Sequence, residues 1–174
     1  GVYALENVGD AYSKGIEIEG SVLPLKGLQF DISYAINDAE YKDFDLKRVN
    51  FVTGEETSTS VKGNKLSNAP KTTLFVAGQY SIQTSEAVGL IFRTELRNIG
   101  GYYTDIQNAL YQQTYMLINT RFGITYKEYG VFLWAKNVNN AVYMNYGSGD
   151  TSFGGRNVRM AEPASLGVTL TAKF

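Results

Sequence analysis

The sequence contains no cysteine and no histidine among its 174 residues. Without cysteine the chain has no disulfides, thiolate metal sites or cysteine nucleophiles. Without histidine it also lacks the usual ligand of zinc hydrolases and haem and the base of a Ser-His-Asp triad. Only carboxylate, lysine, tyrosine or arginine chemistry remains for an enzyme, and we expect neither catalysis nor a cofactor nor a protein-bound metal.

An excess of one charge and a long apolar run are missing as well. The 16 Lys and Arg residues against 17 Asp and Glu residues give a net charge of −1, so the attraction to phosphate used by nucleic-acid binders is absent and no nucleic-acid partner is expected. No stretch reaches the roughly 20 apolar residues of a membrane-spanning helix, so a membrane could be crossed only by strands. Proline is scarce, with 3 residues, whereas 18 Gly, 13 Tyr and 9 Phe favour β structure with turns.

Apolar and polar side chains alternate in about seven long runs, which predicts about seven strands and no helix. The runs are residues 15–23, 28–37, 73–82, 88–97, 116–127, 131–146 and 165–174. Short connections near residues 25, 84 and 129 alternate with long irregular ones at 45–71, 100–113 and 147–156, so the short ones are expected at one edge of the sheet. The run from Val131 begins apolar on both faces, and periodicity does not orient residues 131–134.

Two folds fit this alternation: a soluble antiparallel sandwich and a membrane barrel. Runs of ten or more residues match the roughly 9–11 residues of a transmembrane strand better than the roughly 5–6 of a soluble one. Charged residues in mid-strand share one face, which suits a wet lumen: Glu17, Glu19, Asp31, Arg93, Glu95, Arg97 and Arg121. Tyrosines near the strand ends fit membrane interfaces, and together these features favour the barrel.

Five strings in chain order resemble the C-terminal barrel of TonB-dependent outer-membrane receptors. They are residues 7–19 (NVGDAYSKGIEIE), 33–41 (SYAINDAEY), 68–71 (NAPK), 133–143 (LWAKNVNNAVY) and 162–174, which end on Phe174. Together they span nearly the whole chain.

The resemblance implies an all-β fold, an antiparallel transmembrane β-barrel segment with about seven strands of a barrel of about 22. We therefore assign residues 1–174 to the C-terminal part of such a barrel, with no plug-like segment recognisable in them. It further implies the outer membrane of a Gram-negative bacterium and uptake of a ferric siderophore or similar bulky nutrient. The implied partners are outer-membrane lipid, the plug and remaining strands, TonB through a missing N-terminal part, the ligand, and the barrel assembly machinery that recognises a terminal Phe174.

Candidate ligand contacts fall into three groups, each with a plainer structural interpretation. Arg93, Arg97 and Arg121 face the predicted lumen and suit an anionic chelate, but salt bridges within the lumen or to the plug, with Glu95, Glu17 or Glu19, are the favoured interpretation. Tyr102, Tyr103 and Tyr111 suit stacking on an aromatic ligand, or interfacial anchoring. Arg156, with Arg159, follows the Gly-rich loop and is either a contact to ligand or lipopolysaccharide phosphate or a solvated loop charge.

Two alternatives stay open at the level of the sequence. A small self-closed barrel of about eight strands, acting as a structural protein or adhesin, needs one more strand, for which residues 1–7 are the only candidate. A soluble sandwich or lipocalin-like binding module uses the aliphatic faces as its core.

Overall fold

The computed structural model describes residues 9–49, 53–148 and 155–173, and these contain thirteen strands and no helix. Accordingly, no helix in the described part of the chain is long and apolar enough to cross a membrane. Seven strands form one antiparallel sheet: β1 (Asp10–Leu25), β2 (Leu28–Asp43), β5 (Thr72–Gln83), β6 (Val88–Ile99), β9 (Tyr115–Tyr126), β10 (Tyr129–Lys136) and β13 (Ser165–Ala172). The remaining strands form three two-stranded hairpins: β3 (Asp45–Val49) with β4 (Glu56–Ser60), β7 (Tyr102–Tyr103) with β8 (Tyr111–Gln112), and β11 (Met144–Ser148) with β12 (Asn157–Met160).

The large sheet is a meander in which each strand pairs with the next large-sheet strand along the chain, in the order β1-β2-β5-β6-β9-β10-β13. Residues 26–27, 84–87 and 127–128 connect strands at one edge, which we call the turn edge. Residues 44–71, 100–114 and 137–164 connect them at the opposite edge, the loop edge. Gly27 makes the first turn possible, because its φ is +83° and a Cβ there would overlap the carbonyl oxygen of Ser81. The predicted seven-stranded all-β fold is confirmed.

Several predicted connections contain more structure than their sequences indicated. Residues 45–71 were expected to be a long loop, but they hold the β3–β4 hairpin; residues 100–113 likewise hold the short β7–β8 pair. Their polar composition hid the strands, because a hairpin outside the large sheet needs no apolar face. The third turn, predicted near residue 129, lies at residues 127–128. Part of the Gly-rich segment, residues 149–154, lies outside the described residues, as do residues 1–8.

The predicted run 131–146 is not one strand, and Asn137 is the reason. β10 ends at Lys136, and Asn137 follows with a φ of +50° that a strand cannot accommodate. Its side chain accepts a hydrogen bond from the Ala141 amide (2.8 Å) and donates to the carbonyls of Ala141 (3.0 Å) and Glu162 (3.3 Å). The chain is thereby turned out of the sheet, and the next strand, β11, begins only at Met144.

The two faces of the large sheet differ in chemistry. On the apolar face, Phe92, Phe122, Leu133 and Val168 lie opposite one another across four neighbouring strands. One residue further along, the polar face carries Arg93, Arg121, Trp134 and Gly167 in the next row. The row assignment also orients residues 131–134: Val131 and Leu133 lie on the apolar face, Phe132 and Trp134 on the polar face.

The apolar face is bare. Ile16, Leu166 and Leu170 are 70%, 85% and 74% exposed, and the described residues supply no second layer over them. The buried apolar side chains are few, Ala39, Phe44, Val61 and Ala77, and three of them lie near the loop edge. A sandwich requires the opposite arrangement, because its apolar face must be packed against another sheet.

Candidate functional site

Arg93 lies at the centre of an ion-pair network on the polar face. Its Nε donates to Glu95 (2.8 Å) and its Nη1 donates to Asp31 (3.4 Å), and all three side chains are roughly one quarter exposed. Asp31 also accepts hydrogen bonds from Ser21 and Gln29, both at 2.7 Å. Arg93 is thus neutralised within the wall of the sheet, across β6, β2 and β1.

Arg97 and Arg121 have different surroundings from Arg93. The guanidinium of Arg121 lies 4.1 Å from the ring centroid of Phe132, and that of Arg97 lies 5.3 Å from the ring centroid of Phe75. Neither forms an ion pair within residues 9–49, 53–148 and 155–173. Glu19 lines the same hollow as Arg97 without forming an ion pair with it. These two arginines are therefore held by aromatic rings, through a cation–π contact.

Lys136 also forms a cation–π contact on the polar face, and it was not among the residues predicted from the sequence. Its Nζ lies 5.2 Å from the ring centroid of Trp134. The lysine stands at the end of β10 on the polar face, two residues beyond Trp134. The sequence does place Lys136 two residues after Trp134. Because residues 131–134 are apolar on both faces, however, the sequence did not show which face Lys136 occupies.

Glycines on the neighbouring strands leave room for the two rings that contact Arg121 and Lys136. A Cβ at Gly123 would overlap the ring of Phe132, and a Cβ at Gly130 would lie 2.9 Å from it. A Cβ at Gly167 would overlap the indole of Trp134. The rings consequently occupy the space that side chains at these positions would fill, so each ring covers a strand glycine.

An open hollow of about 500 Å³ lies between β6, β9 and β10 on the polar face. Trp134 forms part of its wall, and the polar residues that line it are Arg93, Glu95, Asn119, Thr120, Arg121, Lys136 and Thr169. Arg93 and Arg121 are directly opposite in the β6–β9 register. Like charges in directly opposed positions destabilise a sheet, and here the ion pairs of Arg93 with Glu95 and Asp31 offset the repulsion.

The candidate tyrosines gather at the loop edge. The rings of Tyr103 and Tyr111 meet edge to face with centroids 5.0 Å apart. Tyr115 and Tyr143 stack in parallel at 4.2 Å, and the phenol of Tyr102 lies beside Tyr115. We refer to these five residues as the tyrosine cluster. Tyr115 and Tyr143 were not among the predicted contacts, although Tyr115 has the same strand parity as Arg121.

Hydrogen bonds between two connections hold the tyrosine-bearing segment in place. Asp105 accepts from the amides of residues 107, 109 and 110 at 2.7–3.1 Å, which folds the segment into a compact turn. Asn108, at a φ of +55°, pairs with both the amide and the carbonyl of Lys65 (2.8 and 2.9 Å). The amide of Asn68 donates to the carbonyl of Tyr103 (2.7 Å). Residues 65–68 and 103–110 are therefore fixed to each other at the loop edge.

Lys65 also organises charges at the loop edge. Its ammonium donates to Asp38 at 2.9 Å and to Glu40 at 3.1 Å. These hydrogen bonds, to Asp38 first, raise the pKa of Lys65 well above its usual range. Lys65 consequently stays charged throughout the physiological pH range.

The remaining candidate residues are not brought to the hollow. Arg156 is exposed directly before β12, in a hairpin outside the large sheet. Phe174 lies outside the described residues. Among the described residues, no three acidic side chains converge in the manner of a metal site.

Comparison with known proteins places this geometry in context. A family model described as "TonB dependent receptor-like, beta-barrel" matches residues 1–141. The ferric yersiniabactin uptake receptor FyuA from Yersinia pestis matches 97% of the chain with a TM-score of 0.79 and 20% identity. The siderophore receptor PiuA from Acinetobacter baumannii matches 94% with a TM-score of 0.71 and 19% identity, and BauA, the ferric preacinetobactin receptor from the same species, matches 97% with a TM-score of 0.69 and 14% identity. The chain covers 24%, 22% and 23% of these three proteins. At such identities the likeness establishes the fold.

Proposed function

Because the chain belongs to the TonB-dependent receptor-like β-barrel family, we propose that it is the C-terminal wall segment of an outer-membrane receptor that takes up a ferric siderophore or a similar bulky nutrient. The observation that carries the proposal is the seven-stranded meander with one bare apolar face and one charged face. A soluble protein does not leave such an area uncovered, whereas a barrel wall turns it to lipid. The family is found in the outer membrane of Gram-negative bacteria, and we place this chain there.

Both outer edges of the sheet are free, and this supports a larger barrel. β1 pairs with β2 alone and β13 pairs with β10 alone, so the described strands do not close. A strand edge exposed to lipid leaves backbone N–H and C=O groups without hydrogen-bond partners, which is energetically unfavourable in the hydrocarbon core of a membrane. The remaining strands of a barrel of about 22 would cover both edges, with a plug domain in the lumen. A self-closed small barrel requires one more strand, and its candidate, residues 1–7, lies outside the described residues.

In the proposed mechanism this segment binds and guides the ligand and performs no catalysis. The tyrosine cluster at the loop edge offers ring faces to an aromatic ligand arriving from outside, and Arg97 and Arg121 offer positive charge further along the lumen wall. TonB then pulls on the plug and opens the path to the periplasm. Phe174 serves recognition by the barrel assembly machinery, and Arg156 contributes a cation at the loop edge.

An uptake assay tests this function. The complete receptor should be expressed in a strain without other ferric-siderophore receptors and supplied with radioactive iron bound to a panel of siderophores. We expect uptake of at least one ferric siderophore, and its loss when TonB is deleted. Normal surface expression without TonB-dependent uptake of any panel member would contradict the proposal.

A further inference from the structure

Lys65 and Asn108 join two of the long connections at the loop edge. We propose that these two are positioning residues for ligand capture, because they fix residues 100–114, and with them the tyrosine cluster, in the binding arrangement before a ligand arrives. The three connections at the loop edge then act as one rigid body and do not close over the ligand one by one. The proposal rests on the proposed function and specifies which residues of the chain prepare the loop edge for binding.

Asn108 pairs with the backbone of Lys65 as a neighbouring strand would. Its Oδ1 accepts from the Lys65 amide at 2.8 Å, and its Nδ2 donates to the Lys65 carbonyl at 2.9 Å. Because both ends of the side-chain amide are used, the pair fixes orientation as well as distance. The φ of +55° at Asn108 is also one that asparagine adopts more readily than most residues. We call this pair of hydrogen bonds the Lys65–Asn108 link.

Two further hydrogen bonds join the same two connections on either side of this link. The side chain of Asn64 donates to the carbonyl of Ile106 at 3.0 Å. The amide of Asn68 donates to the carbonyl of Tyr103 at 2.7 Å. The two connections are therefore joined along their length, and separating them breaks all of these bonds together.

Lys65 fixes the link to the wall of the sheet. Its ammonium donates to Asp38 at 2.9 Å and to Glu40 at 3.1 Å, both on β2. Its backbone also forms a bridge with Glu40. Partly exposed ion pairs contribute little when they act alone, but here they reinforce a backbone that is already paired. The residue that holds Asn108 is thus itself attached to a strand of the large sheet.

The third connection is attached to the same tyrosine-bearing segment. Gln112, which is 4% exposed, accepts a hydrogen bond from the Met144 amide at 2.7 Å. Thr104, which is 7% exposed, lies against Gly147, where a Cβ would be 2.7 Å from the threonine hydroxyl. Separating these groups would leave a buried polar side chain without its partner, which is costly. The segment is therefore held from both sides.

The tyrosine cluster needs these attachments because its rings come from different elements. Tyr103 and Tyr111 belong to one connection, Tyr143 to another, and Tyr115 to β9. The rings form a common surface only while the connections keep their relative positions. A site that is in its binding arrangement for only a fraction of the time loses apparent affinity by that fraction. Fixing the segment in advance removes this loss.

The first measurement needs no ligand. Spin labels at Lys62→Cys and Ala109→Cys, both exposed positions, report the distance between the two connections by pulsed electron paramagnetic resonance in the complete receptor in lipid vesicles. We expect one narrow distance distribution, and a broad one after Asn108→Gly, which removes the side chain and tolerates the positive φ. The matched control is Asn140→Gly. Asn140 has a φ of +49° and accepts from the Ala164 amide within a single connection, so its replacement should leave the distribution narrow.

The second measurement is iron uptake by the same variants. Initial rates should be measured with a ferric tricatecholate, ferric citrate and a ferric trihydroxamate. For the chelate that the wild type transports best, we expect Asn108→Gly to raise KM about five-fold or more, with little change in the maximal rate, if the segment then spends about one fifth of its time in the binding arrangement. Lys65→Gln should raise KM less, because the backbone bridge to Glu40 remains, and Lys65→Arg should restore the wild-type KM.

Several results would overturn the inference. A wild-type distance distribution as broad as that of Asn108→Gly would show that the link does not hold the connections. A shift of more than about 2 Å when the transported chelate is added to the wild type would show closure instead of a rigid body. Broadening with an unchanged KM, or an equal rise in KM for Asn140→Gly, would refute the positioning role and leave the proposed function intact. Absence of TonB-dependent uptake of every chelate by the wild type would refute the proposed function, and the positioning role with it.

Discussion

Val168→Lys is expected to lower the free energy of unfolding of the membrane-inserted receptor by about 2–4 kcal/mol, the cost of a lysine on the lipid face near the bilayer midplane. Val168 lies on the apolar face of β13, 59% exposed, in one row with Leu133, Phe122 and Phe92. Lipid surrounds this row in the proposed barrel, so the ammonium would lose its hydration. The measurement is urea unfolding of the receptor in lipid vesicles, followed by the shift between folded and unfolded bands on unheated gels.

The matched control is Thr169→Lys, at the next residue of the same strand. Thr169 lies opposite Phe132 on the polar face and lines the hollow, where water hydrates a lysine. We expect the control to unfold within about 0.5 kcal/mol of the wild type, as surface substitutions do. Equal effects of the two substitutions, or a larger effect of Thr169→Lys, would contradict the assignment of the faces.

Gly123→Ala is expected to destabilise the receptor by about 1–3 kcal/mol, the usual cost of overpacking. The new methyl group would occupy the position of the Phe132 ring. The ring has little room to move away, because it also lies close to Gly130 and its centroid is 4.1 Å from the guanidinium of Arg121. Unfolding in urea measures the effect, and Gly167→Ala, which displaces Trp134 in the same way, should behave similarly.

Gly20→Ala and a double variant separate ring displacement from a general cost of replacing strand glycines. At Gly20, on the apolar face, a Cβ would find its nearest neighbour at 3.8 Å, so we expect almost no loss. Phe132→Ala should abolish the additional cost of Gly123→Ala in a double-mutant cycle, since the clash disappears with the ring. Equal losses of stability for Gly20→Ala and Gly123→Ala would contradict the claim that the Phe132 ring fills the space beside Gly123. Strict additivity of Gly123→Ala and Phe132→Ala would contradict it as well.

The sequence allowed the large sheet and its two faces to be predicted, because alternation is a local signal. A strand such as β9, with Ile118, Phe122 and Ile124 on one face and Arg121 on the other, can be oriented from its own residues. The small hairpins could not be predicted in this way. Residues 45–49 and 56–60 are held by backbone pairing between β3 and β4, which leaves no periodic apolar pattern in the sequence.

The candidate site was only partly predictable, because its function depends on pairing across strands. Arg93 and Arg121 were equivalent in sequence, yet the structure pairs the first with Asp31 and Glu95 and places the second over Phe132. Lys136 and the glycines beside the two rings emerge only once the register brings β9, β10 and β13 together. Similarly, Tyr143 joins Tyr115 because Asn137 turns the chain away from the sheet between them.

The most direct test of the account is a spin-label scan along β9, since its central claim is that the apolar face meets lipid. The chain contains no cysteine, so single cysteines can be introduced at positions 116–125 of the complete receptor in lipid vesicles, after replacement of any cysteines elsewhere in it. Collision rates with oxygen, which concentrates in lipid, should be high at the even positions, beginning with Met116 and Ile118, and low at the odd positions, which include Arg121. A flat profile, or oxygen maxima at the odd positions, would contradict the barrel-wall assignment and the proposed transport function that depends on it.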